Sequence, residues 1–76
     1  MERVNVIKVS IADGIVESMD SFEESTEGNQ KAEERFLEVC SESFYNWDEY
    51  TDHDKQVIIE NGYEKSGIYT VQIFHS

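Results

Sequence analysis

The residues predict an α+β fold: a β-hairpin, an amphipathic helix, a short second helix and a final strand (ββα(α)β). The strands are expected to form a three-stranded antiparallel sheet with the main helix packed on one face. Three observations carry this expectation. Two N-terminal stretches rich in β-branched residues are separated by turn chemistry, a central stretch repeats its apolar residues with helical period, and Ile68 to His75 alternates again.

Taken in order, Val4 to Ile11 sets Ile7, Val9 and Ile11 at alternate positions and Val4 and Val6 on the opposite parity. That is a strand with apolar residues on both sides, so its second face is expected to be partly covered by a symmetry mate or a partner. Ala12-Asp13-Gly14 supplies the turn, and Ile15 to Phe22 resumes an extended pattern, which makes the first 22 residues a hairpin. Ser25 and Thr26 are candidate helix caps, with acids placed at the positive end of the helix dipole. From Lys31 to Phe44, at about 100° per residue, Ala32, Phe36, Val39, Cys40 and Phe44 share one arc with Leu37 at its edge. Glu27, Glu34, Glu38 and Glu42 share the other side with Lys31 and Arg35.

An aromatic and acidic link, Tyr45-Asn46-Trp47-Asp48-Glu49-Tyr50, follows. Thr51-Asp52-His53-Asp54 has the form of an N-cap with acids in the first turn, and it opens a short helix to about Glu60 that Gly62 closes in the left-handed conformation. Val57-Ile58-Ile59 with Asn61-Gly62 also fits a strand and a hairpin turn, and the helix is the reading adopted. Lys65-Ser66-Gly67 reads as a turn before the last strand, which returns antiparallel beside the first in a sheet ordered 2-1-3.

A chain of 76 residues is expected to be one domain, 1–76, since a unit this short buries only about 60% of the surface its unfolded chain exposes. A stability of roughly 4 to 11 kcal/mol leaves little to sustain a deep, strained cavity. Seventeen acids against six bases give a formal net charge of -11, which repels nucleic acid and anionic membrane and draws the chain toward basic surfaces. The same charge also keeps a small protein soluble. With 38% hydrophobic and 12% aromatic residues, a folded core is expected rather than disorder. The lone Cys40, the absence of an apolar signal-like stretch after Met1, and the lack of any run near the ~20 apolar residues of a membrane span lead to a cytoplasmic expectation, or host-cell cytoplasm for a phage-encoded chain.

No catalytic, cofactor or metal site is predicted. Cys40 lies on the predicted buried face of the helix, and neither His53 nor His75 is spaced to serve it as a base. Asp48 to Asp54 has the oxygen density of a calcium loop, but the sixth and twelfth positions counted from Asp48 hold His53 and Ile59 where Gly and Glu are required. The four glycines are isolated, so none builds a phosphate-cradling loop.

Two features point to a partner. Glu34, Glu38 and Glu42 rise ~6 Å per step along one helix face, with Glu27 extending the row toward the helix start, and carboxylates so spaced can stand in for backbone phosphates. Lys31 and Arg35 lie among them and pair as on any solvated helix. The second feature is Tyr45, Trp47 and Tyr50 with Asp48, Glu49 and Asp52: aromatic anchors edged by acids, suited to an Arg-rich protein surface. The expected role is a small acidic inhibitor or adaptor that docks on a basic, nucleic-acid-handling protein without touching nucleic acid itself. In size, charge and absent chemistry the chain resembles phage- or mobile-element-encoded inhibitors of host defence, nucleic-acid mimics among them, and the resemblance is one of composition. The alternative is a structural protein that associates with itself, as a homodimer, with no separate ligand.

Overall fold

The computed structural model describes residues 2–75. In chain order the elements are β1 (Arg3–Ser10), β2 (Val16–Glu23), α1 (Thr26–Ser43), a 3-10 turn (Trp47–Glu49), α2 (Asp52–Asn61), β3 (Tyr63–Ser66) and β4 (Tyr69–His75). The class is α+β, with one antiparallel sheet in the order β2-β1-β4-β3. Among the described residues its extents of 34 × 30 × 17 Å fit one helical layer on one side of the sheet.

Local chemistry sets the ends of the helices. The Ser25 hydroxyl accepts the Gly28 N–H at 3.0 Å and caps α1. Gly28 also lies so close to the end of β2 that a side chain there would run into the Glu23 carbonyl oxygen, so the first turn of α1 sits directly against the strand it follows. Thr51 and Asp54 form a reciprocal capping box at α2, each side chain bonding the other's backbone N–H. At the far end of α2, Gly62 adopts φ 85°, ψ 4° and donates its N–H to Ile58 at 2.9 Å, the left-handed stop that glycine reaches at least cost.

The expected three-stranded sheet is corrected to four strands. Residues 63–66, whose second half reads in the sequence as a turn, pair with β4 from Tyr63↔Gln72 to Ser66↔Tyr69. The physical reason lies in Gly62. Its carbonyl accepts the Ile73 N–H at 2.8 Å, so the residue that ends α2 already belongs to the sheet edge and the chain needs no loop before the new strand. The turn itself shrinks to Gly67-Ile68, a two-residue hairpin loop. Of the two readings of residues 52–60, the helix stands.

The core lies between α1 and one side of the sheet. Val4, Val6 and Val71 supply the sheet side, Ala32, Phe36, Val39, Cys40 and Phe44 the α1 side, and Ile58 of α2 closes the end near β3. Phe22, Tyr69 and Ile73, on the same parity, pack around it. The opposite parity makes rows across the other face: Val16, Val9, Thr70 and Lys65 in one, and Met19, Ile7, Gln72 and Tyr63 in the next. Asn5, with Ser21 and Phe74, makes a third row. A bulge between Lys8 and Val9 leaves Glu17 as the extra residue of β2.

Candidate protein-binding surfaces

The acidic row of α1 is present and exposed at Glu27, Glu34, Glu38 and Glu42, but it is partly neutralised from within. Lys31 pairs with Glu27 at 3.1 Å. Arg35 bonds Asp20 of β2 at 2.8 Å and Glu38, and stands 3.7 Å from Glu42. Arg35 therefore clamps α1 to the sheet, and its single positive charge is shared between Asp20 and Glu38, with Glu42 at its margin. Among the described residues Glu34 remains exposed with no ion pair, next to Glu33.

The aromatic link divides into framework and surface. Trp47 stacks on Tyr50 with ring centres 4.9 Å apart, both flank the buried Phe44, and Lys55 of α2 lies 5.1 Å from the Trp47 ring centre. The Tyr50 hydroxyl donates to Glu64 at 2.8 Å, and Ser66 donates to Asn46 at 2.9 Å. Both polar ties end on β3, so the strand that the sequence hides is what holds the link in place. Tyr45 takes no part in the stack and is 89% exposed.

Tyr45 and Trp47 line an open hollow at the C-terminal end of α1 with Ser41, Glu42, Ser43, Phe44 and Asp48. The last turn of α1 has no basic residue, so the partial negative charge of the helix end is uncompensated there. Two carboxylates, a helix C-terminus and an exposed phenol ring converge on one concavity, which is the chemistry that receives a guanidinium or ammonium group. Of the ten sequence-predicted partner residues, Glu42, Tyr45, Trp47 and Asp48 come together here. Glu49 and Asp52, exposed and without ion pairs among the described residues, flank the 3-10 turn. Glu27 lies near the opposite end of the helix, and Tyr50 is turned inward.

The groups considered for reactivity sit elsewhere. Cys40 is fully buried, and burial, then the nearby Glu64 carboxylate, pushes its thiol up to about 12. Burial, followed by its hydrogen bond to Glu64, pushes the Tyr50 phenol up to about 12 as well. His53 lines an open cleft with Tyr50, Asp54 and Glu64, yet both carboxylates are engaged, Asp54 by Thr51 and Glu64 by Tyr50. Thr51's hydrogen bonds hold the Asp54 carboxyl below its usual range. Among the described residues no three His, Cys, Asp or Glu side chains gather where they could hold a metal ion, and no helix is long and apolar enough to cross a membrane.

A surface absent from the predicted partner residues is the uncovered side of the sheet. Met19, Val16, Tyr63 and Phe74 are exposed there beside the half-buried Ile7 and Val9. Its signal in the sequence was the two-sided apolar pattern of Val4 to Ile11. Charge separates the two sides of the slab. Residues 24–62, the helical layer, carry eleven acids against three bases, a net of -8, whereas all other residues carry six acids against three bases, a net of -3. On the uncovered face the strand parity brings Glu23 beside Arg3 and Lys65, and the β2 bulge adds Glu17 at its edge. The chain matches no known family model, no curated protein and no solved structure.

Proposed function

We propose that this protein is a small acidic binding module, an inhibitor or adaptor that docks through its helical layer on a basic protein surface of the kind that handles nucleic acid. The observation that carries the reading is the concentration of net charge -8 in residues 24–62, on the side of the slab away from the bare sheet. An unevenly charged body orients its partner during approach, so the helical layer meets a basic surface first. At contact, the hollow bordered by Glu42, Tyr45, Trp47 and Asp48 takes one Arg or Lys side chain, and Glu49 and Asp52 extend the contact along the 3-10 turn and α2. The row of Glu34, Glu38 and Glu42 contributes field more than individual contacts, because Arg35 already occupies part of it.

The test is a salt-titrated binding assay of the full chain against an Arg-rich peptide and a panel of basic nucleic-acid enzymes. Affinity is expected to fall about tenfold as salt rises from about 0.05 to 0.3 M. Tyr45→Ala and the pair Glu42→Gln with Asp48→Asn are each expected to cost about 1–2 kcal/mol of binding without changing the melting temperature. Affinity that is flat in salt, or binding indifferent to both sets of variants, sinks the reading.

A further inference from the structure

We infer that the uncovered face of the sheet is the seat of a second copy of this chain, which stacks on it about a two-fold axis running along the strands between β1 and β4. The inference is independent of the role proposed for the helical layer. The face consists of three strands of seven or eight residues and one of four, about 4.8 Å apart, roughly 430 Å² in projection, a patch size that on monomers is often functional. A pair of such faces hides roughly 900 Å², too little for a permanent dimer and in the range of transient ones, so the association is micromolar and concentration-dependent.

Two properties of the face select a copy of itself over a basic partner. The first is charge. Apart from the neighbours Arg3 and Glu23, Lys65 on β3 and Glu17 at the β2 bulge, the face rows are uncharged, and these two acids and two bases balance, so a basic surface finds little to attract it. A second copy also escapes most of its own repulsion. Sheets stacked about 10 Å apart leave the two acidic helical layers roughly 30 Å from one another, more than three screening lengths at physiological salt.

The second property is self-complementarity along the rows. An axis parallel to the strands keeps each row at its own level and reverses its order, laying the β2 edge of one copy over the β3 edge of the other. Met19 then meets Tyr63 of the second copy, a sulfur-aromatic contact, and Ile7 meets Gln72. One row along, Val9 meets Thr70, and Lys65 comes over the β2 edge where the bulge holds Glu17. Every such contact occurs twice. The row order therefore places thioether against ring and Lys65 over Val16, with Glu17 in the adjoining bulge within reach of the ammonium group.

Sedimentation equilibrium of the full chain from about 10 µM to 1 mM tests the inference. A monomer-dimer equilibrium that tightens as salt rises from about 0.01 M to physiological strength is expected, because at the lower salt the screening length of about 30 Å lets the two chains of charge -11 repel, opposite in sign to the salt response of charge-driven docking. Met19 is 60% exposed, so Met19→Lys should leave the circular dichroism spectrum and melting temperature of the monomer unchanged while weakening the dimer at least about tenfold. Lys65→Glu should weaken it several-fold, and adding Glu17→Lys should restore it. A chain that is monomeric at the highest concentration, with the face left to a different partner, overturns the inference, as does a dimer that Met19→Lys does not weaken. A dimer indifferent to Lys65→Glu overturns the stated axis.

Discussion

The two sides of strand β1 each carry a pair of β-branched apolar residues and do opposite work. Val4 and Val6 look toward α1 and are sealed beneath Ala32, Phe36 and Cys40, while Ile7 and Val9, one residue away along the same backbone, stay half-buried on a face with no layer above it. The difference originates in the helix, since α1 has one apolar arc and can cover one parity of the sheet. An apolar strand face becomes a core only where another element brings its own apolar stripe to it. The same division separates stability from recognition. The covered side binds the layers together, the helical layer above it carries most of the charge, and the bare side is the surface with the fewest charges.

The largest expected effect falls in the middle of the covered side. Phe36 is the bulkiest of the fully buried residues, and its ring spans the gap between α1 and the sheet valines. Phe36→Ala should lower the free energy of unfolding by about 3–5 kcal/mol in urea, with the m-value retained. For a chain this small that is a large fraction of the total. A loss below about 1 kcal/mol would mean that the covered side is not the core and would erase the contrast between the two faces.

A smaller effect comes from protons. Cys40 and Tyr50 both sit on the covered side beside Glu64, and both are held up to about 12, above their ordinary values of 9.0 and 10.0. For acids with raised pKa the unfolded chain releases its protons first, so their contribution is complete below about pH 9 and is lost as pH climbs toward 12. Stability should decline in that window by at most about 1.4 kcal/mol per pH unit for each group. Tyr50→Phe should flatten the slope above pH 10, and chemical denaturation at stepped pH measures it. A curve level from pH 8 to 12 would show that neither group is shielded from solvent and that the end of the core near β3 is open.

Much of this arrangement was legible in the residues, and the parts that were not have identifiable causes. The arc from Ala32 to Phe44 named the α1 side of the core because helical period leaves little ambiguity over four turns. Ser25, Thr51 and Gly62 marked their helix ends because capping is local chemistry. Strand β3 was hidden because its four residues Tyr63-Glu64-Lys65-Ser66 have little apolar character, and what makes them a strand is pairing with β4. Which parity of β1 faces the helix was equally invisible: Ile7, Val9 and Ile11 outnumber Val4 and Val6, yet the smaller set is the core. Among the surface residues, Tyr45 and Asp48 could be suspected from composition, whereas the inward turn of Tyr50 depends on Glu64, a residue fourteen positions away on the unforeseen strand.

The smallest effect is also the most direct comparison, because β1 offers one residue type on both sides. Val6 is 1% exposed under α1, and Val9 is half-buried on the bare face between Val16 and Thr70. Threonine keeps the shape and β-propensity of valine, so substitution by Thr changes little except one hydroxyl. At Val6 that hydroxyl enters a pocket lined by apolar side chains and should cost about 1–3 kcal/mol. At Val9 it can reach water, and the cost measured on dilute monomer should stay within about 0.5 kcal/mol. Equal losses at the two positions would mean that something covers the second face even in the monomer. A gap of the expected size would assign the hydrophobic content of Val9 and its row neighbours to association rather than to folding.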